Sequence, residues 1–316
     1  MFLTTALLLA VSLLLIIKGA DWFIESAVSI SEKSGIPKII IGATIVSFAT
    51  TAPEFAVSAT AAFMNHTEMT IGNAVGSAIC NIGLILGSII IIKAIPIDLD
   101  SFLRKGAFML LSGAVLILTT LDGILSRFDG VLLFLIFAGF MYYNYRLQTA
   151  IFKDDPNLKP DRSHMVGLKK DILFFVLGAL CVVIGSRILV DTGITIAKMF
   201  GVPEMIIGLT LLALGTSLPE LITAISATIK GHQDLSIGNI LGANTMDIAL
   251  ILGVSSQIRP LPIIPQSISY DFPVMIFIMV ILILFGITKK RFDRWEGAVI
   301  LCSYLAYVAG LFLWYN

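Results

Sequence analysis

Gly42-Ala-Thr-Ile-Val-Ser-Phe-Ala-Thr-Thr-Ala-Pro-Glu54 and Gly208-Leu-Thr-Leu-Leu-Ala-Leu-Gly-Thr-Ser-Leu-Pro-Glu220 are two versions of one motif, 166 residues apart. Each sets a carboxylate directly after a proline in an otherwise apolar run. Proline has no N–H, so the carbonyl one turn earlier loses its helical donor. The freed carbonyls belong to residues near Ala49/Thr50 and Gly215/Thr216, with the hydroxyls of Thr50, Thr51, Thr216 and Ser217 beside them. Broken backbone at membrane depth is tolerated only where it is buried in protein or lines a cavity. The motif therefore reads as a site, duplicated.

The duplication extends outward. Gly35–Gly87 lies on Gly201–Gly253 without a gap, with 20 of 53 positions identical. Apolar helices that match by chance share Leu, Ile and Val; here the shared residues include Pro37/Pro203, Gly72/Gly238, Asn73/Asn239 and Gly76/Gly242. A second polar stretch, Gly72-Asn-Ala-Val-Gly-Ser77-Ala-Ile-Cys-Asn81, matches Gly238-Asn-Ile-Leu-Gly-Ala243-Asn-Thr-Met-Asp247. Glu54 precedes Asn81 by 27 residues, and Glu220 precedes Asp247 by the same 27. Ser77 and Asn81, at i and i+4, share a helix face. The ligand set is all oxygen, without His or Cys, which suits hard cations such as Ca2+ and Na+ and not zinc or copper. Carboxylates at membrane depth must be protonated or neutralised.

The whole chain is built for lipid. Of 316 residues 57% are hydrophobic and 13% charged, with a mean hydropathy of +0.97. One soluble core cannot hide so much apolar side chain, which excludes a soluble enzyme and a disordered chain. With 21 basic and 21 acidic residues there is no basic surface for nucleic acid. Cys80, Cys181 and Cys302 all sit in apolar stretches, against a disulfide framework or metal cluster. Spans of about 20 apolar residues are expected near 3–31, 38–64, 70–94, 105–122, 128–146, 169–198, 203–229, 235–258, 270–288 and 295–315. The first lacks a basic n-region and reads as a retained span. Sixteen Lys and Arg fall in the odd-numbered loops and three in the even-numbered ones. The excess marks the cytoplasmic side, so both termini are expected outside a multi-pass cell-membrane protein.

The expected fold is an all-α integral membrane protein of ten transmembrane helices. Residues 1–147 form the first five-helix repeat, 148–168 a cytoplasmic linker and 169–316 the second repeat. Five spans per half is an odd number, so the second copy enters from the opposite side. The repeats are then inverted about an axis in the membrane plane, an arrangement that places ion sites near the midplane of secondary transporters. Lys18, Asp21 and Glu25, and likewise Arg187 and Asp191, read as structural pairs. His66 and His232 read as loop residues. No His-Glu-x-x-His or Gly-x-Gly-Asp run and no nucleophile–base pair points to an intramembrane enzyme.

The two motif pairs resemble the α-repeats of the Na+/Ca2+ exchanger family, within the calcium/cation antiporter superfamily, in its short microbial form without a regulatory loop domain. The resemblance implies an antiporter that exchanges Ca2+ for Na+ by alternating access, with no cofactor and no obligate protein partner. A Ca2+/H+ antiporter of the same superfamily is the alternative. Carried over residue by residue, it implies Ca2+ at Glu54, Glu220, Thr50 and Thr216, and sodium sites around Ser47, Thr51, Ser77, Ala213, Ser217 and Ala243. Asn81 and Asp247 complete the centre. Ala243 lacks the hydroxyl usual in the family and Thr51 replaces a common serine, which implies a weakened sodium site there. The first and sixth spans are expected to slide across the rest, with Gly19 and Gly185 at the contact.

Overall fold

The computed structural model describes residues 2–33, 51–154, 168–229 and 233–315. These are helical apart from turns and four two-residue strands. The helices are α1 (Phe2–Lys33), α2 (Ala52–Phe63), α3 (Thr67–Ile92), α4 (Leu99–Thr119), α5 (Arg127–Asp154) and α6 (Leu168–Phe200). Then come α7 (Glu204–Thr216) and α8 (Leu218–Ile229). Helix α9 runs from Gln233–Met246 through Asp247–Leu252 into Gly253–Ile258, followed by α10 (Phe272–Lys289) and α11 (Arg294–Trp314).

Eight described helices are long and apolar enough to cross a bilayer. The other two expected spans are accounted for differently. Residues 38–50 of the second lie outside the described residues, and its remainder is α2. The seventh is broken at Ser217 into α7 and α8. The break falls two residues before Pro219, whose missing N–H cannot continue the ladder. In the first copy, Thr51 likewise precedes α2 with Pro53 in its first turn.

Helices α3 and α9 form the centre. In their apolar windows 78% and 83% of residues are buried, against 17% for α5 and 28% for α1 and α6. A helix apolar on every face belongs inside the bundle; Ile71, Val75, Ile79 and Ile82 of α3 join Ile240, Leu241, Ile248 and Ile251 of α9 in one core. Small residues permit the crossing of α3 over α7. A Cβ on Gly72 would lie 2.8 Å from the Met205 carbonyl, and one on Gly76 2.6 Å from that of Leu209.

The central helices carry π turns at Asn81–Leu86 and Asp247–Leu252, each beginning on a polar residue of the second motif. Further π turns span Gly208–Leu212 and Ser267–Asp271. Such turns leave backbone oxygens poorly bonded and mark functional positions in helices. The loops are tied by two short antiparallel pairs. β1 (Ile95–Pro96) pairs β4 (Arg291–Phe292), and β2 (Ile124–Leu125) pairs β3 (Leu261–Pro262).

Candidate cation-binding site

Glu54 sits in the first turn of α2 and is buried. Its Oε1 accepts a hydrogen bond from the Ser217 hydroxyl at 3.0 Å, joining the two Pro-Glu motifs directly. Glu220, in the first turn of α8, is equally buried. Glu54, Glu220 and Asp247 are close enough for their charges to repel one another. The second motif pair also meets: the Asn81 amide donates to Asp247 Oδ2 at 3.2 Å. The sequence offset of 166 is thus a spatial contact.

Most expected site residues are buried. Thr51, Ser77, Thr216 and Ser217 are buried, as is Ala213, whose Cβ would lie 2.9 Å from one added to Gly76. Thr216 donates to the Leu212 carbonyl at 3.0 Å and lies 3.3 Å from Asn73 Oδ1. Ala243 is buried beside Asn244, with no hydroxyl to offer. Thr50 and Ser47 lie outside the described residues.

Two asparagines were not among the expected site residues. Asn73 Nδ2 donates to the Glu54 backbone carbonyl at 3.2 Å and to Ser58 Oγ at 2.9 Å, which holds the start of α2 against α3. Asn244 Nδ2 donates to the Ala78 carbonyl at 3.0 Å and ties α9 to α3. The signal for Asn73 was present, since Gly-Asn recurs at 72–73 and 238–239. Asn244 stands opposite Ala78 in the repeat and had no such signal. His66 is more than a loop residue: its Nδ1 lies 2.7 Å from Glu204 Oε2, linking the α2–α3 turn to the start of α7. Lys18 and Asp21 form an exposed pair at 3.3 Å, as their spacing suggested.

The polar chemistry of the centre is incomplete within the protein. Glu54 Oε2, Ser77 Oγ, Asn81 Oδ1 and Asp247 Oδ1 are buried and have no hydrogen-bond partner among the described residues. Buried acceptors are seldom left so, because each forfeits its hydration without return. All four are oxygens from the two motifs. Among the described residues no three His, Cys, Asp or Glu side chains are grouped tightly enough to hold a metal alone. An ion here would need hydroxyl, amide and backbone oxygens in its shell, the mixed set that Ca2+ and Na+ accept.

The family model described as sodium/calcium exchanger protein matches residues 4–146 and 170–313. The chain is 32% identical to the sodium/calcium exchanger MaX1 of Methanosarcina acetivorans, over 97% of this chain and 98% of that protein. It is 34% identical to the inner membrane protein YrbG of Escherichia coli, over 99% and 98%. Among solved structures it is similar to the sodium-calcium exchanger NCX_Mj soaked with 10 mM Na+ and zero Ca2+. That match has 28% identity and a TM-score of 0.65, and covers 98% of this chain and 100% of that one. The same exchanger soaked with 10 mM Na+ and 10 mM Sr2+ gives a TM-score of 0.66.

Proposed function

This chain belongs to the sodium/calcium exchanger family, and on that premise we propose that it exchanges Ca2+ for Na+ across the cell membrane by alternating access. The ions bind between two inverted five-helix repeats, at the centre of ten spans whose termini both lie outside. The observation that carries the reading is the set of partnerless buried oxygens contributed by Glu54, Ser77, Asn81 and Asp247. Ca2+ and Na+ are substrates here; each in turn supplies the positive charge that buried carboxylates need before they can face the other compartment.

The repeat reading draws support from the backbone. α2 and α8, the first parts of α3 and α9, and their π turns all begin and end at positions offset by 166. The strands behave likewise, β1 being offset from β3 by 166 residues while each pairs with a strand of the other half. An inverted copy pairs its loops in this crosswise manner.

In the exchange cycle, Glu54 and Glu220 hold Ca2+ with the backbone oxygens near Thr50 and Thr216. The hydroxyls of Ser47, Thr51, Ser77 and Ser217, with backbone oxygen at Ala213, receive Na+. Asn81 and Asp247 close the centre. Competition for shared carboxylates couples the fluxes, since either cargo offsets their charge and the empty site is costly.

The test is Ca2+ uptake into sodium-loaded proteoliposomes after dilution into sodium-free buffer. Uptake should require the outward Na+ gradient, survive a protonophore and vanish in Glu54→Gln, whose Ca2+ affinity should fall at least about 100-fold for loss of one charged ligand. Uptake driven by a pH gradient alone would assign the protein to proton-coupled exchange instead. Gradient-independent flux would remove antiport altogether.

A further inference from the structure

Asn73 joins three helices where α3 crosses α7. It has no exposed surface, and α7 presses on it: a Cβ on Gly208 would lie 3.2 Å from the Asn73 backbone nitrogen. Its Nδ2 donates to the Glu54 carbonyl at 3.2 Å and to Ser58 Oγ at 2.9 Å, both on α2. Its Oδ1 accepts from the Thr216 hydroxyl of α7 at 3.3 Å. The amide cannot be turned over, because the Glu54 carbonyl accepts and never donates. The Thr216 hydroxyl has a nearer acceptor in the Leu212 carbonyl, at 3.0 Å. Among the described residues, however, Thr216 is the one donor to Asn73 Oδ1. A buried amide oxygen left without a donor is costly, which draws the Thr216 hydrogen toward Asn73.

One side chain thus spaces the two cation motifs, and the two cargoes ask different things of that spacing. Ca2+ gathers about 6–8 oxygens at roughly 2.3–2.6 Å. On the exchange reading, on which this inference rests, those oxygens come from Glu54 and Glu220 together with the backbone at Thr216, across both halves. The Na+ donors divide by half, with Ser47, Thr51 and Ser77 in the first and Ala213 and Ser217 in the second. A Na+ can be held largely from one half, whereas a Ca2+ must reach across. We propose that Asn73 is a positioning residue that sets the preference for Ca2+ over Na+, by fixing the distance between Glu54 on α2 and Thr216 on α7. The second copy keeps the asparagine as Asn239 but has Ala224 where the first has Ser58, so it lacks the hydroxyl that anchors the amide.

Affinity in detergent solution, not transport, is the readout. The Ca2+ dissociation constant is measured by isothermal titration in choline chloride. The midpoint Na+ concentration is taken from the rise in thermal unfolding temperature as NaCl replaces choline chloride without Ca2+. In Asn73→Ala the Ca2+ constant should rise about tenfold, the worth of one lost hydrogen bond. The Na+ midpoint should move less than about threefold. A side chain that only held the fold together would weaken both cargoes alike. Equal losses overturn the proposal, as does an unchanged Ca2+ constant or an unaltered protein that Na+ fails to stabilise. Should Asn73→Ala fail to fold, Thr216→Val takes its place, since it removes the hydroxyl and keeps the backbone oxygen. A Ca2+-selective loss there supports the role, and an unchanged ratio of the two affinities overturns it. Failure of Na+-driven Ca2+ uptake in proteoliposomes would remove the exchange reading, while the affinity ratio still decides the role of Asn73.

Discussion

Helices α1 and α6 pack against each other as closely as α3 packs against α7, yet the two regions are held in opposite ways. At the centre, contacts are directional. Asn73, Asn81 and Asn244 each donate across a helix boundary, to Glu54, Asp247 and Ala78. Along the middle of α1 and α6 the contact is made by small and apolar groups. Gly19 faces Gly178 and Cys181, and Gly185 faces Ser12 and Leu15. The hydroxyls at mid-seam bond back to their own helices, Ser12 to the Leu9 carbonyl and Ser186 to that of Val182, both at 2.7 Å. Hydrogen bonds do cross toward the two ends of the seam, from Ser29 to Asp171 Oδ2 at 3.0 Å and from Thr5 to Met199 Sδ at 3.9 Å; between them small residues let the helices touch closely. The directional core fixes the register of its helices. Gly19 and Gly185 lie between α1 and α6 and not between that pair and the other helices, so the contact expected to slide across the rest is not at these two glycines.

The sharpest way to break this comparison is to enlarge one glycine in each region. Gly76→Val drives a side chain into the Leu209 backbone, where neither helix can retreat. Folded protein should be lost from detergent extracts, as size-exclusion chromatography would report. Gly19→Val with Gly185→Val should leave a folded protein that still gains thermal stability from Ca2+ but transports at a small fraction of the normal rate. Normal flux in that variant would mean that the close α1–α6 contact is not needed for transport.

A smaller effect is expected at the asymmetric centre. Asp247→Asn removes a charge and leaves two amides face to face; Ca2+ affinity should fall about tenfold, the worth of one charged hydrogen-bonding partner, by isothermal titration. Asn244→Ala should leave transport kinetics intact and cost about 1–3 kcal/mol of stability, because the Ala78 carbonyl is buried and loses its donor. Denaturant titration would measure it; a transport defect without a stability loss would place Asn244 in the ion site instead. The mildest change is Ala243→Ser. It returns the hydroxyl that Ser77 provides in the first half, and should raise the Hill coefficient for Na+ with little effect on Ca2+. No change would mean that the missing hydroxyl costs no sodium.

Much of this was legible in the chain because the repeat writes each element twice. The recurrence of Asn81 as Asp247 and of the Pro-Glu motif followed from the 166-residue offset; that the copies touch is what the structure adds. Asp271, buried at the start of α10 with its Oδ1 accepting from the Tyr307 hydroxyl at 3.0 Å, escaped notice because its counterpart is Lys105. The link between His66 and Glu204 escaped too, because Glu204 matches Lys38, so the repeat-related combination of His232 with Lys38 offers no carboxylate. Helix ends were also displaced. The expected fifth span ends at 146, whereas α5 continues to Asp154, since backbone hydrogen bonding does not stop where the hydrocarbon does.

By itself the sequence determined the solvent, the repeat and the oxygen donors on offer. Composition decides whether a chain can live in water, proline decides where a helix must break, and oxygen side chains decide which cations are welcome. Only the tertiary structure decided which oxygens are left without partners and which helices are locked. Those properties belong to distances between residues far apart in the chain. Asn73 and Asn81 look alike in sequence, but one donates to a backbone carbonyl and the other to a carboxylate. Neighbours settle that, not residue type.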